Sequence, residues 1–339
     1  MSHPSFSAPA RRGVYDRLSA HLAALSDDAV AELIERGRPV RTSRHGAGAV
    51  LEVGGVQVFV KQVALTDLER APGNIRSAAN LFDLPLYYQY GVGSTGFGAW
   101  RELDVSLKVT DWVRSSACPH FPLLHHWRVL PRPAREPPTP EQLARLDQVV
   151  EYWGGAPAIR ARREGLRDSS ANLVLCLEYF PETLTSWLQG LAAAGGEGLD
   201  DAFAMVETQM SAIAAFVNAQ GMLHFDLHGL NVLTDGEQLF AADFGLAICT
   251  DFELSPAERE FFDRHQAYDR GFVSLCLVAQ FDAVGATASP ATAAMIDAHR
   301  PAADIMRGFL EGLRDSAKTT PCPMAELERA LAAQSSPLP

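Results

Sequence analysis

The chain has 339 residues, 47% of them hydrophobic, a length that is too great for one small core and suits two lobes or domains. Its formal net charge of −12 argues against a general nucleic-acid binder, because such proteins carry a basic face. Residues 1–10 lack the apolar stretch of a signal peptide, and the most apolar run, Phe272–Phe281, is shorter than the roughly 20 residues of a membrane span. The five cysteines show no disulfide or zinc spacing. We therefore expect a cytoplasmic protein without a membrane span.

The N-terminal part of the chain predicts helices followed by a β-hairpin. Residues 1–12 are predicted to be a loose tail, and apolar residues at helical spacing over Val14–Arg36 predict one or two amphipathic helices. Ala49–Val53 and Val56–Val60 have the composition of short strands. Gly54-Gly55 joins them, and it is a favoured hairpin turn because both positions can take a positive φ.

The next segments mix loops with regular structure. Gly73–Gly98 is rich in glycine and aromatic residues and predicts an ordered insertion, because aromatic side chains favour packing. Trp100–Val113 predicts a helix and Leu173–Leu177 a buried strand. The proline-rich stretch Pro131–Pro140 predicts a loop.

The remainder of the chain is predicted to be mainly helical. Thr183–Leu191 and Ala202–Asn218 have helical periodicity. Between them and the last helices, Val232-Leu233 and Leu239–Ala241 flank Asp235-Gly236, which predicts a second hairpin.

The most informative stretch combines two carboxylates with a carboxamide. It reads His224-Phe-Asp-Leu-His-Gly-Leu-Asn231 and is followed by Asp243-Phe-Gly. Phosphoryl transfer needs little covalent help from a protein; it needs metal ions at the phosphates, a carboxylate near the acceptor hydroxyl and firm positioning. Asp226 would orient that hydroxyl and accept its proton, while Asn231 and Asp243 would supply the oxygen ligands that Mg²⁺ prefers.

These residues resemble the catalytic loop (H-x-D-x-x-x-x-N) and the D-F-G motif of the protein-kinase superfamily. The two motifs occur in the family's order and near its spacing, whereas either motif alone would be a weak signal. The resemblance implies ATP and Mg²⁺ as cofactors. It also implies an α+β, two-lobed protein-kinase-like fold with a small N-terminal antiparallel-sheet lobe and a helical C-terminal lobe. The implied division is a tail and helical extension at 1–37, an N-lobe at 38–178 with insertions at 73–98 and 131–140, a C-lobe at 179–334 and a tail at 335–339.

The resemblance extends to a candidate phosphate-binding lysine. Val58-Phe-Val-Lys61 is similar to the family's V-A-I-K strand, whose lysine holds the α- and β-phosphates of ATP. An exposed lysine at a strand end is the alternative. The family pairs this lysine with a helical glutamate, and Glu102 is the expected partner, although it lies 41 residues after Lys61 (102 − 61). Glu69 is the rival.

Three further elements are assigned a function by the resemblance, and each also has an ordinary structural explanation. Gly46 and Gly48 would cover the phosphates as a glycine-rich loop, or they form an ordinary turn. Backbone groups around Glu178 and Phe180 would hydrogen-bond adenine as the hinge strand, or this is simply a buried strand that runs into a turn. Asp269 would brace the catalytic loop, or it caps its own helix.

Two positions depart from the family's pattern. His228 stands where ordinary protein serine/threonine kinases have lysine, and the sequence Asp-Leu-His is similar to aminoglycoside and choline-type phosphotransferases and also to a few divergent protein kinases. It would contact the transferred phosphate when protonated, or serve as a structural histidine in the loop. Phe225 replaces the arginine that binds a phosphorylated activation loop in regulated kinases, so we expect no such phosphorylation to be required. Its ring is expected to pack near Phe240 or Phe244.

The predicted function is transfer of the γ-phosphoryl group of Mg·ATP to a hydroxyl acceptor. A protein serine or threonine is slightly favoured, because the intact D-F-G-L-A is close to protein kinases. A small molecule of the aminoglycoside type is the alternative, since no A-P-E sequence follows the motif. A pseudokinase scaffold is a second alternative, but a scaffold would not need Lys61, Asp226, Asn231 and Asp243 together. The expected partners are therefore ATP and a hydroxyl-bearing protein or small molecule, with no nucleic acid.

Overall fold

The computed structural model describes residues 8–41, 47–133, 135–285, 289–316 and 318–334. It is a mixed α+β structure with 54% helix and 15% strand. The chain divides into two compact units. The first contains the described residues through Tyr88 together with Thr95–Tyr179, and the second contains Gln89–Ser94 and the described residues from Phe180 onward.

A five-stranded antiparallel sheet forms the centre of the first unit, in the order β1-β2-β3-β5-β4. Gly54 and Gly55 have φ values of +57° and +77°, which confirms the predicted hairpin turn between the second and third strands. The strands are β1 (Arg38–Arg41), β2 (Ala47–Val53), β3 (Val56–Leu65), β4 (Leu124–Pro131) and β5 (Ala171–Glu178).

Two N-terminal helices, α1 (Ala8–Ala24) and α2 (Asp27–Arg36), bury apolar residues against this sheet. Arg11 is only 3% exposed; it forms an ion pair of 2.6 Å with Glu178 and donates to the carbonyls of Pro119 and Phe121. The prediction of a loose tail over residues 1–12 is therefore wrong from Ala8 onward, because a buried guanidinium anchors the helix. Residues 1–7 lie outside the described part of the chain.

The predicted insertion is ordered, as its aromatic content indicates. Tyr88 packs edge-on against Trp153 with ring centroids 4.5 Å apart, in a buried cluster that includes Phe97. Pro131 ends β4 and Pro140 begins the next long helix, so the proline-rich stretch between them is a connection. The helical segments here are α3 (Asp67–Arg70), a 3₁₀ turn (Leu86–Gln89), α4 (Ala99–Arg114), α5 (Pro140–Tyr152) and α6 (Pro157–Asp168).

The second unit is largely helical, with α10 packed against α8, α11 and α12. Its helices are α7 (Leu184–Ala193), α8 (Leu199–Ala219), α9 (Pro256–Arg264), α10 (Tyr268–Val284), α11 (Pro290–Asp315) and α12 (Met324–Gln334). Its short strands are β6 (Glu182–Thr183), β7 (Met222–Leu223), β8 (Val232–Thr234), β9 (Leu239–Ala241) and β10 (Ile248–Cys249).

Local turn and capping residues define the ends of several of these elements. The predicted second hairpin is confirmed as β8–β9, with Gly236 at φ +95°. Ser255 caps α9 in a capping box with Glu258. The predicted tail at 335–339 lies outside the described residues. Within the described ranges, no helix is both long and apolar enough to cross a membrane.

Candidate active site

The predicted catalytic loop follows β7 and is held by one buried carboxylate. The backbone N–H groups of His224 and Phe225 donate to the two oxygens of Asp269, at 2.7 and 2.9 Å. Phe225 has a φ of +65°, a left-handed conformation that is uncommon outside glycine. The N-cap position of α10 is Ala267, and Asp269 is the second residue of the helix. It therefore braces the loop, and the interpretation as a helix cap is wrong.

Burial sets the protonation of the groups beneath the loop. It raises the pKa of Asp269 to about 6, against the opposing effect of the two N–H donors, so the carboxyl is ionised at neutral pH. Burial also lowers the pKa of His224 to about 4, which keeps that imidazole neutral. Neutral His224 then accepts a hydrogen bond from the backbone N–H of Asp226, at 3.3 Å to Nδ1.

Asp226 is oriented by its own loop. The side-chain amide nitrogen of Asn231 donates to Asp226 Oδ2 and to the Asp226 carbonyl, both at 3.0 Å. That carbonyl also accepts from the N–H of His228 at 2.9 Å. The Asp226 side chain is 25% exposed. A carboxylate that is held in one orientation and is partly exposed to solvent is suited to accept a proton from a bound hydroxyl.

The β8–β9 hairpin brings the two predicted metal ligands to the same end of the hairpin. Val232 pairs with Ala241, and the N–H of Ala242 donates to the carbonyl of Asn231 at 2.8 Å. Asp243 is the next residue, and it has a φ of +64°. Its Oδ1 lies 3.4 Å from the N–H of Gly245, which tightens the turn after it.

The donor set of this turn fits Mg²⁺. Because the amide nitrogen of Asn231 is bound to Asp226, its amide oxygen faces away from that contact, and Asp243 adds a carboxylate. Mg²⁺ prefers such oxygen ligands and commonly takes only one or two from the protein, with phosphates and water completing its shell. Among the described residues, no three or more His, Cys, Asp or Glu side chains form a group that could hold a metal by themselves. One amide oxygen and one carboxylate match the small number of protein ligands that Mg²⁺ commonly takes.

His228 lies beside the predicted catalytic carboxylate. Its Nδ1 accepts from the N–H of Leu230 at 3.2 Å, which leaves the proton of the neutral ring on Nε2. Nε2 is 3.6 Å from Asp226 Oδ1, longer than a hydrogen bond. The hydrogen bond within the loop supports the structural interpretation. The half-exposed Nε2 is also placed to meet a ligand at Asp226.

The ring of Phe225 packs in a different place from the one expected. It lies 4.4 Å from the ring centroid of Tyr268 and stacks on Phe261 at 5.7 Å. Phe240 packs instead against Phe180, and Phe244 against His224. The ring of Phe225 thus lies among side chains of α9 and α10.

The first unit contains a buried ion pair. Lys61 Nζ lies 2.5 Å from Glu102 Oε1, with both side chains nearly excluded from solvent. β3 places the lysine between Gly48 of β2 and Leu175 of β5, and α4 supplies the glutamate. The prediction that Glu102 pairs with Lys61 is thus confirmed, and the alternative of an exposed lysine at a strand end is wrong.

Glu69 has a separate role that sequence reasoning missed. Its Oε2 pairs with Arg162 at 2.8 Å and closes a capping box with Thr66, while Oε1 accepts from the N–H of Ala99 at 2.7 Å. Glu69 therefore fixes the first residue of α4 and so helps to place Glu102. The T-x-x-E pattern of the capping box was visible in the sequence, but Arg162, 93 residues away, was not.

The candidate nucleotide-binding positions are described only in part. Gly46 lies outside the described residues, and Gly48 is a strand residue of β2 paired with Lys61. The N–H of Glu178 donates to the carbonyl of Leu123 at 2.8 Å, so this group is not open to adenine. The ring of Phe180 stacks on Phe240 with centroids 4.1 Å apart.

Comparisons with known proteins add no assignment. No protein-family model matches the chain, and no curated protein matches it. The second unit brings together Asp226, His228, Asn231 and Asp243, while Lys61, Glu102, Gly48 and Glu178 belong to the first. Each of these two sets of residues therefore lies within a single unit.

The brace predicts a measurable loss of stability in Asp269→Asn. The amide would set an NH₂ group against a backbone N–H, and an unsatisfied buried donor costs about 1–3 kcal/mol. Denaturant unfolding at pH 7 should show this loss relative to the wild type. Asp263→Asn, an exposed change on α9, is the matched control and should unfold like the wild type.

The pH dependence of the free energy of unfolding, compared between the wild type and Asp269→Asn, is a second prediction. The pKa of Asp269 is about 6 when folded and 3.8 in its ordinary state, so the folded protein binds the proton more tightly. The free energy of unfolding of the wild type should therefore rise, relative to Asp269→Asn, as the pH falls from about 6 to about 4. A difference between the two proteins that stays constant over this range would contradict the assignment.

Proposed function

We propose that this chain is an ATP-dependent kinase that transfers the γ-phosphoryl group of Mg·ATP to a hydroxyl acceptor. The observation that carries the proposal is the joint placement of Asp226, Asn231 and Asp243. Asn231 orients the carboxylate through its nitrogen at 3.0 Å, and the β8–β9 register sets Asp243 one residue beyond the backbone contact of Asn231. A general base and two metal ligands are thus provided by one loop and one hairpin.

In this mechanism Asp226 accepts the proton of the acceptor hydroxyl while the acceptor oxygen bonds to the γ-phosphorus. The bond from that phosphorus to the β,γ-bridging oxygen breaks, and ADP leaves with the electron pair. Asn231 keeps Asp226 in one orientation, which raises the fraction of time in which the carboxylate points at the hydroxyl. Bound Mg²⁺, held by Asn231 and Asp243, would neutralise charge on the phosphates.

Lys61 is the proposed source of positive charge for the phosphates, and Glu102 Oε1, 2.5 Å from its Nζ, holds the ammonium group in place. The role proposed for Lys61 is to hold the α- and β-phosphates. Together with an antiparallel-sheet unit and a helical unit, this pair supports a protein-kinase-like fold.

A protein serine or threonine is proposed as the acceptor, on the strength of the intact D-F-G-L-A sequence. A small-molecule hydroxyl of the aminoglycoside type is the second candidate. The early start of α9 favours this candidate. The capping box of α9 is at Ser255, ten residues after Gly245 (255 − 245), so only a short segment between them could bind an extended peptide. His228 in place of lysine also favours it.

The proposal is tested by ADP release from Mg·ATP. Purified protein should release ADP with a serine/threonine peptide library or with kanamycin as acceptor. Asp226→Asn should lower the rate by about 10²–10⁴-fold, since general-base catalysis contributes about that factor. Asp201→Asn, an exposed change on α8, should keep the full rate. A wild type that binds ATP and releases no ADP with any acceptor would support a pseudokinase scaffold instead.

A second set of variants tests the ion pair. Lys61→Ala and Glu102→Ala should each lower ADP release by similar factors, and the double variant should lose little more, because either change already breaks the pair. Glu69→Ala should act differently. It removes the partner of Arg162, so its main effect should be a lower melting temperature. Glu52→Ala, exposed on β2, is the control. Additive losses in the double variant would separate Lys61 from Glu102 functionally.

A further inference from the structure

Six residues of the predicted insertion, Gln89–Ser94, belong to the second unit and lie against its catalytic loop. Gln89 is buried, and its side-chain amide donates to the carbonyl of Leu246. Leu246 directly follows the Asp-Phe-Gly sequence that ends at Gly245. This contact therefore holds the backbone three residues after the predicted metal ligand Asp243.

Tyr90, the next residue of the segment, is held by a hydrogen bond and by ring contacts. His265 Nδ1 donates to the carbonyl of Phe261 at 2.6 Å, so its Nε2 accepts the hydroxyl of Tyr90, also at 2.6 Å. The Tyr90 ring contacts Phe225 at 6.2 Å and meets Phe309 edge-on at 4.9 Å. Tyr90 thus belongs to the same aromatic cluster that holds the residue before Asp226.

The segment then makes a strained turn. The N–H of Ser94 donates to the carbonyl of Gly91 at 2.8 Å, and the two residues between them, Val92 and Gly93, have φ values of +44° and +92°. Turns of this kind favour Asn-Gly, and a β-branched residue with positive φ is unusual. Strained backbone of this type persists only where its surroundings hold it, and it occurs often at functional sites.

The first residue of the turn faces the predicted catalytic carboxylate. A Cβ atom added to Gly91 would lie 3.4 Å from Asp226 Oδ1 and 3.6 Å from Leu246 Cδ1. The other carboxylate oxygen, Oδ2, is the one bound by Asn231. Gly91 therefore borders Asp226 Oδ1, the oxygen that also lies 3.6 Å from His228 Nε2.

We propose that Gln89–Ser94 is an acceptor-positioning turn. In it, Gln89 holds the backbone around Leu246, and Tyr90 packs against Phe225. Gly91, which has no side chain, leaves the space through which the acceptor hydroxyl reaches Asp226 Oδ1. This inference rests on the proposed kinase function. The hydrogen bond from Gln89 to Leu246 orders the segment after Asp-Phe-Gly with a neutral amide, in a chain whose Phe225 cannot bind a phosphate group. Gly91 is thereby a specificity-determining residue and Gln89 a positioning residue.

Gly91→Ala tests the acceptor side. Alanine fits, because the new contacts are ordinary van der Waals distances and Gly91 lacks a positive φ. We expect an unchanged melting temperature and an unchanged affinity for Mg·ATP by calorimetry. Turnover with the serine/threonine peptide library or kanamycin should fall about tenfold or more, through a raised acceptor KM or a lowered kcat. Gly73→Ala is the matched control, since its Cβ meets nothing within 4 Å, and it should match the wild type in every measurement.

Hydrogen exchange tests the positioning side without reference to activity. Gln89→Glu and Gln89→Met both remove the donor, and the second does so without adding a charge. Either variant should speed amide exchange in the peptide that covers Gly245–Cys249. Unchanged exchange in a folded Gln89→Met protein would overturn the positioning role. Full turnover in Gly91→Ala, beside an active wild type, would overturn the acceptor role. A wild type that releases no ADP would instead refute the kinase proposal, and the acceptor role with it.

Discussion

Asp269 is buried at the start of α10, and its two oxygens accept the consecutive N–H groups of His224 and Phe225. Two adjacent amides can point at one carboxylate only when the backbone turns sharply, and Phe225 does so at φ +65°. That strain costs about 1–3 kcal/mol. Two hydrogen bonds to a charged acceptor contribute about 1.5–3 kcal/mol each, which is enough to offset it. The pKa of Asp269 nevertheless remains raised, so the protein keeps a charge in an unfavourable place in order to hold this loop.

The rest of the candidate site follows from that brace by short steps. Once the loop is fixed, Asp226 comes within reach of the Asn231 amide, and the β8–β9 register joins Asn231 to Ala242. Asp243 follows Ala242 directly, so the same register places it. Asp243, which follows the β8–β9 hairpin, is a second left-handed residue, with a φ of +64°. Strained backbone thus occurs beside both carboxylates that the proposed chemistry uses.

The sequence predicted the elements whose information is local. Gly54-Gly55 and Asp235-Gly236 specify their turns through the φ values that glycine allows. The spacing of Asp226, Asn231 and Asp243 is likewise local, and it was sufficient to identify the candidate site. The choice of Glu102 over Glu69 was harder, because it depends on which of the two helices that flank the insertion carries the partner of Lys61.

Other contacts could not be predicted, because they join residues far apart in the chain. Arg11 binds Glu178 across 167 positions, and periodicity gives no sign of a buried ion pair of that kind. Gln89 reaches Leu246 across 157 positions, so the insertion was predicted to be ordered but not to lie against the catalytic loop. The packing of Phe225 was predicted wrongly for the same reason. Its partners Phe261 and Tyr268 come from helices that sequence spacing does not place in space.

The most direct measurement of the central claim is calorimetric titration of the protein with ATP, in the presence of Mg²⁺ and again with EDTA. If Asn231 and Asp243 hold a metal that arrives with phosphate, affinity should fall sharply when EDTA removes the metal. Asp243→Ala should lose affinity in the presence of Mg²⁺ and show little further loss when EDTA is added. Nucleotide affinity that is the same with and without Mg²⁺, and the same in the wild type and in Asp243→Ala, would contradict the account.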